Sequence, residues 1–240
     1  MIELHSVHVL FSPEFQLDYR NSQSQYDACV VIDVLRATST IVTALANGAI
    51  EIVPVLNLED TVEYSQKGYL TAGERGGVKP GGFALGNSPL EYSVDTVRGK
   101  KICLTTTNGT KALIYAKELS KNIYVASFLN ASSTAEELRR YEKIAIVCAG
   151  NNGDISYEDT QLAGHIVECL THDTHYMLSD SALISLKLWE HLKKPQFRGS
   201  HALKLMMLGF EKDVEYCSNV DIYDFVVQYD GEKLRLIDKS

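Results

Sequence analysis

The chain has 240 residues, 45% hydrophobic and 22% charged, with a formal net charge of -8. That composition is globular, and the length is enough to bury a core without a disulfide or metal staple. No run of Lys or Arg exceeds two residues, which argues against a nucleic-acid partner. An acidic chain that binds an anion must do so with local positive charge, so isolated Arg residues, helix N-termini and a metal ion are the features to look for.

The N-terminal stretch Met1–Phe11 lacks a basic region followed by a long apolar core, and no stretch approaches the roughly 20 apolar residues of a membrane span. A cytoplasmic protein with no membrane association is expected. The five cysteines, Cys29, Cys103, Cys148, Cys169 and Cys217, are scattered and odd in number. They read as reduced thiols, buried where they lie in apolar runs.

In chain order, an apolar β-rich run repeatedly ends in a polar loop followed by a helical pattern. Ala28–Ile32 does not alternate and reads as a strand covered on both faces. Asp33 follows, then Arg36-Ala37-Thr38-Ser39-Thr40, then an apolar helix to Ala46 stopped by Asn47-Gly48. Glu51–Val55 is the next strand, with Asn57 as the expected N-cap of a helix. Tyr69–Ala72 is a short strand leading into Gly73-Glu74-Arg75-Gly76-Gly77. Gly81-Gly82-Phe83 to Gly86-Asn87-Ser88-Pro89 reads as a lid or a long connection.

Lys101–Leu104 precedes Thr105-Thr106-Thr107-Asn108-Gly109-Thr110 and a helix with Ala112, Leu113, Ala116 and Leu119 on one stripe. Ile123–Phe128 is followed by Leu129-Asn130-Ala131, with Ser133-x-x-Glu136 as the expected capping box. Ile144–Cys148 leads to Ala149-Gly150-Asn151-Asn152-Gly153-Asp154 and a helix through Leu170. Two more helices are expected around Ala182–Trp189 and Ala202–Met207, with Met206 and Met207 filling core, and terminal strands between Asp221 and Leu236.

This order predicts one α/β domain over residues 1–240, a layered sandwich with a mostly parallel sheet flanked by helices. Residues 1–175 would bear the site, and the helices and strands of 176–240 would pack on it. Ligands bind beyond the carboxyl ends of strands in such folds, where nearly all the unusual polar segments fall. Asp33 suits a divalent cation or nucleophile activation, and Arg36 and Thr38 at a helix start suit a phosphate. Glu74 is a candidate metal ligand, and Arg75 could meet an anionic substrate. Thr106, Thr107, Asn108 and Gly109 supply neutral donors around an anion. Asp154, Glu158 and Asp159 form an acidic group at a helix start. Convergence of Asp159 with Asp33 and Glu74 would give the all-oxygen shell that Mg²⁺ prefers. The spacings of a P-loop, of a C-x₅-R phosphate cradle and of a D-x-D aspartyl-phosphate motif are absent.

The ordered segments VVIDVLRATSTIVTALANGA (30–49), AGERGG (72–77), GFALGNSP (82–89), LTTTNGTKAL (104–113), FLNASS (128–133) and AGNNGDISYEDTQLAG (149–164) resemble the 2-phosphosulfolactate phosphatase family. The likeness spans residues 28–170, with an echo at 212–226. One departure is Val227-Gln228, where the family pattern has Val-Pro. The resemblance implies Mg²⁺-dependent hydrolysis of a phosphate ester of a small 2-hydroxy acid, 2-phosphosulfolactate first among them, associated with coenzyme M synthesis. It carries Asp33, Arg36, Glu74, Arg75, Thr107 and Asn108 over as site residues, with Asn130 and Asp159 behind them. The partner is then a small anionic phosphate ester, and a homo-oligomer is allowed. Asp33 would orient water or attack phosphorus itself. Two rivals stand beside this reading: a phosphatase for another 2-hydroxy-acid phosphate, such as phosphoglycolate or phospholactate, and a non-catalytic binder of anionic metabolites.

Overall fold

The computed structural model describes residues 5–14 and 26–237. The first four residues of the N-terminal stretch therefore lie outside the described residues. Chain order is β1 (Ser6–Leu10), β2 (Ala28–Ile32), α1 (Ala37–Ala46), β3 (Glu51–Pro54), α2 (Asp60–Gln66), β4 (Leu70–Gly73), α3 (Val94–Val97), β5 (Lys101–Thr105), α4 (Gly109–Leu119) and β6 (Ile123–Ala126). It continues with α5 (Ala131–Leu138), β7 (Lys143–Cys148), α6 (Tyr157–Thr171), β8 (Met177–Leu178), α7 (Asp180–Leu192), α8 (Ser200–Met207), α9 (Glu211–Cys217), β9 (Val226–Tyr229) and β10 (Leu234–Ile237). Short 3₁₀ turns occupy Pro89–Glu91 and Phe128–Asn130.

The strands form one sheet in the order β4-β5-β3-β10-β9-β6-β2-β7-β1-β8. Two parallel groups, β4-β5-β3 and β6-β2-β7-β1-β8, are joined through the antiparallel pair β9–β10. The expected mostly parallel α/β sheet is therefore present. The C-terminal hairpin, however, does more than pack on the sheet: it is the sheet's middle.

Period-two alternation divides β2 between two cores. Cys29 and Val31 face one core, shared with Ile52 of β3, Ile102 and Leu104 of β5, Val227 of β9, Ile41 and Leu45 of α1, and Leu113 of α4. Both strand groups thus share one core with α1 and α4. Val30 and Ile32 face a second core with α5, α6, α7, α8 and α9. Because β2 is covered on both faces it carries no polar residue until Asp33.

Several local readings are revised. Asp60 accepts from the Asn57 backbone N–H, and α2 starts at Asp60, so Asn57 is not the N-cap. The capping box is Ser127/Asn130 at the 3₁₀ turn; α5 begins at Ala131 and Ser133 instead donates to Asp224. Met207 is 89% exposed rather than core, because α8 turns it away from the apolar side defined by Ala202 and Leu205. The strands β1 and β8 and the helix α9 lie outside the expected set. Cys29, Cys103, Cys148 and Cys217 are buried free thiols, and Cys169 is half-buried. No helix among the described residues is long and apolar enough to cross a membrane.

The join between strand groups is narrow: β10 meets β3 at a single paired position, Leu234 with Ile52. Beside it the buried Glu51 carboxylate binds Arg235 of β10 at 2.6 Å, Tyr69 Oη, Lys233 at 3.4 Å and Lys101 of β5 at 3.4 Å. Although burial opposes ionisation, the bonds from Arg235, Tyr69 and Lys101 and the Lys233 charge pull its pKa down to about 2. A depressed folded-state pKa stabilises the native state above the unfolded value of about 4.3 and loses that contribution as pH falls toward 2. Glu51→Gln should therefore destabilise the protein by about 1–2 kcal/mol at pH 7, because three of the cations remain partly solvated. Urea unfolding should show the difference between wild type and variant shrinking as pH falls from 5 to about 2.

Candidate active site

At the carboxyl end of β2, the main chain of Asp33 accepts from the Thr38 N–H, and the Asp33 N–H donates to Thr38 Oγ1. This exchange closes the turn into α1, which has no side-chain N-cap of its own. The Asp33 carboxylate takes that role, accepting from the Ala37 N–H at 3.4 Å and from the Gly109 N–H. Asp33 thus sits at the N-termini of α1 and α4 together, where both helix dipoles favour an anion. The Leu35–Arg36 peptide in this turn is cis. Gly109 is required by space: a Cβ there would lie 2.6 Å from Ala37 Cβ and 2.8 Å from Asp33 Oδ2.

Glu74 arrives from β4. Gly73 at φ +143° precedes it, and a side chain at that position would strike the Thr105 carbonyl. Glu74 Oε1 accepts from the Thr107 N–H at 2.7 Å, and Oε2 from the Gly77 N–H at 2.8 Å. The carboxylate thereby ties the glycine turn to the loop after β5. Burial, and then the neighbouring Glu74 charge, push the Asp33 pKa up to about 7, against the Ala37 and Gly109 N–H groups and Arg36. Two buried carboxylates near each other are costly unless something positive joins them.

Both line a narrow polar cleft whose cavity volume is about 40 Å³. Its other walls are Leu35, Arg36, Gly76, Gly77 and Asn87, then Thr107 and Asn108, then Asn151 and Asn152, and finally His201, Lys204 and Leu205 of α8. Thr107 Oγ1 and Asn87 Oδ1 are buried there without a hydrogen-bond partner. Buried partnerless oxygens on residues that line a cleft are suited to binding a ligand. The Thr40 hydroxyl donates to the Asn87 carbonyl at 2.8 Å and so holds the loop in place.

Arg36 is fixed before any ligand arrives. Nη1 donates to Asp213 Oδ2 at 2.5 Å, and Nη2 donates to the Gly77 carbonyl at 2.7 Å. The guanidinium lies 4.1 Å from the Phe210 ring centroid, and Ser88 Oγ donates to the other Asp213 oxygen at 2.7 Å. Each terminal nitrogen retains an N–H beyond these bonds. His201, largely buried near Glu74, Lys204 and Arg36, has its pKa lowered by desolvation to about 4 and is neutral at pH 7.

The cleft therefore gathers Asp33, Arg36, Glu74, Thr107 and Asn108 from the expected set, with Gly109 directly behind Asp33. It does not gather the others. Asp159 Oδ1 accepts from the Val34 N–H and Oδ2 from the Gly150 N–H, which joins the loops after β2 and β7 behind Asp33. Burial and then Asp33 hold its pKa well above the usual carboxylate range. Among the described residues, no three acidic, His or Cys side chains are arranged to hold a metal, so the expected three-carboxylate shell is not assembled. What lies together is two carboxylates with an amide and a hydroxyl oxygen, still a hard, all-oxygen donor set that fits Mg²⁺ when waters complete the shell. Asp154 and Glu158 also stay off the cleft, Glu158 bonding the Gly199 N–H.

Arg75 turns away, donating to the carbonyls of Glu74 and Leu56 and to Thr105 Oγ1. Thr38 and Thr106 spend their hydroxyls on the starts of α1 and α4. Asn130 is fully buried, accepting from the Ser127 N–H and donating to Thr134 and the Phe225 carbonyl. Asn87, Asn151, Asn152, His201, Lys204 and the Arg36 partner Asp213 were not singled out from sequence. The i,i+3 spacing of His201 and Lys204, and an acid at 213 just before apolar Val214, are the signals that could have found three of them.

This is an α/β protein with a narrow polar cleft at the carboxyl ends of parallel strands, where open α/β sheets bind ligands. The chain belongs to the 2-phosphosulfolactate phosphatase family, since the family model described as 2-phosphosulpholactate phosphatase matches residues 16–232. A protein of Pseudothermotoga lettingae is 44% identical over 225 residues, covering 92% of this chain and 94% of its own length. One of Thermotoga maritima is 47% identical over 201 residues, covering 82% and 86%. A Clostridium tetani protein is 37% identical over 218 residues, covering 88% and 93%. Each is named "Probable 2-phosphosulfolactate phosphatase".

Because the Arg36–Asp213 pair is only 2–3% exposed, removing one partner leaves an uncompensated buried charge. Asp213→Ala should cost about 3 kcal/mol in denaturant unfolding. It should also lower phosphatase activity by about tenfold or more through loss of the fixed guanidinium.

Proposed function

We propose that the protein hydrolyses 2-phosphosulfolactate to 3-sulfolactate and inorganic phosphate, with Mg²⁺ as its cofactor. The observation that carries the reading is the pairing of Asp33 and Glu74, two buried carboxylates in one cleft with the partnerless oxygens of Asn87 and Thr107. Apolar filling or a salt bridge would satisfy such a group differently; a hydrated divalent cation satisfies all four oxygens. Family membership and the names of the relatives supply the substrate.

Asp33, Glu74, Asn87 and Thr107 would hold the cation. When bound, it supplies charge neutralisation for the phosphoryl oxygens and lets an anionic ester enter an acidic cleft. The free N–H groups of Arg36 hold the phosphoryl group, and their fixed direction means no reorganisation as charge develops. Asn108, at the start of α4, donates from the opposite wall. In the reaction a water oxygen bonds phosphorus while the ester P–O bond breaks. The water proton passes to Asp33 and from there to the departing alkoxide, so the free 2-hydroxy acid and phosphate are the products. His201, neutral at pH 7, adds no charge to the cleft.

The purified protein should release phosphate from 2-phosphosulfolactate faster than from phosphoglycolate. EDTA should silence it, and added Mg²⁺ should restore it. Asp33→Asn should lower kcat by about 100-fold or more with an unchanged circular-dichroism spectrum. Phosphate release that persists in EDTA, or in the Asp33 variant, would refute the assignment.

A further inference from the structure

The substrate of the proposed reaction carries three anionic groups: a phosphoryl ester and a carboxylate on one carbon, and a sulfonate on the next. The phosphoryl group is served by the floor of the cleft. The remaining groups require positive charge that is not already neutralised. Arg36 cannot supply it in full, because Asp213 is bonded to it and both side chains are 2–3% exposed. Arg75 points away from the cleft onto backbone carbonyls.

Lys204 remains. It lies on α8 and lines the cleft with Glu74 and Arg36, and the charges of all three act on His201. Among the described residues its ammonium has no carboxylate within ion-pair distance and no side-chain hydrogen bond. Unlike Arg36, it is solvent-exposed, and its long stem is free to follow a ligand. The neighbouring wall is pre-built from polar groups. Asn152 donates its N–H to Asn108 Oδ1 at 3.3 Å, and Asn151 Nδ2 donates to Ser200 Oγ at 3.4 Å. These bonds stitch the loop after β7 to the starts of α4 and α8.

We propose that Lys204 is the specificity-determining residue of this cleft, receiving the sulfonate of the substrate. This rests on the phosphatase reading above. The sulfonate, one carbon further from the ester oxygen than the carboxylate, is the group with the longer reach from the phosphoryl site. A tetrahedral monoanion with three equivalent oxygens suits a compact, mobile ammonium better than a planar fork. The carboxylate stays nearer the floor, within reach of Arg36.

The test compares kcat/KM for 2-phosphosulfolactate and for 2-phospholactate, which keeps the phosphoryl and carboxylate groups and lacks the sulfonate. The ratio should fall about tenfold or more in Lys204→Met, the scale of one charge-assisted hydrogen bond, and arise mainly in KM. Lys204→Arg, which keeps the charge but not the compact ammonium, should regain part of it. A Lys204→Met ratio equal to that of wild type, whatever the fall in the individual rates, overturns the proposal. Titration calorimetry with sodium 3-sulfolactate and sodium lactate, in the presence of Mg²⁺, reads the same preference without turnover. Wild type should favour 3-sulfolactate and Lys204→Met should lose that preference; a wild type with no preference, or a variant that keeps it, overturns the proposal. A wild type that binds 3-sulfolactate selectively but releases no phosphate from its ester refutes the phosphatase reading and leaves Lys204 as the sulfonate contact.

Discussion

The structure depends on one electrostatic constraint: the Asp33 carboxylate is buried against Glu74, and these two acids come from opposite strand groups. Asp33 closes β2, whereas Glu74 closes β4 at the far edge of the sheet. Both strand groups share one core with α1 and α4, whose N-termini both aim N–H groups at Asp33. Two helix ends and a ring of N–H donors offset part of the cost of burying like charges. They leave enough of it to raise the Asp33 pKa to about 7. The remaining imbalance is what a cation and an anionic ester entering together would relieve.

That arrangement draws on parts of the chain remote from the acids. Asp213 on α9 holds Arg36, Asp159 on α6 ties the loop of Asp33 to the loop after β7, and α8 closes one wall. The hairpin β9–β10 joins the two strand groups through a single β3 pairing, reinforced by the Glu51 ion cluster. The site is thus assembled across the whole fold, so a substitution at 213 or 51 acts on it or on its frame without touching a ligand. Buried acids and ion pairs of this kind reduce what stability the same volume of apolar packing would give. Their retention is explained by what they position.

Much of this was legible in the sequence. The unbroken apolar run Ala28–Ile32 announced a strand covered on both faces, and polar loops after successive strands marked the end of the sheet where Asp33, Glu74, Thr107 and Asn108 meet. What could not be read was the direction of each side chain. Arg75 is adjacent to Glu74, yet alternation of the backbone sends it outward onto the Leu56 carbonyl. Thr38, Thr106 and Asn130 have the residue types of an anion site but spend their polar atoms on helix starts, the commoner use of such residues. Asp159 has the charge of a metal ligand and the hydrogen bonds of a brace. Asn87 and Asp213 lie in segments that carry the family likeness but show no chemical role by themselves, Lys204 lies in none, and only long-range packing brings the three toward Asp33. The middle position of β9–β10 was equally hidden, since antiparallel insertion between parallel strands leaves no local signature.

The central claim is that Asp33 and Glu74 share one divalent cation. Calorimetric titration of Mg²⁺ into metal-free protein tests it most directly, using wild type, Asp33→Asn and Glu74→Gln. The account predicts one site in the wild type, weakened about tenfold or more in each variant, because each removes one of only two anionic ligands. Binding of Mg²⁺ with wild-type affinity in either variant would contradict it.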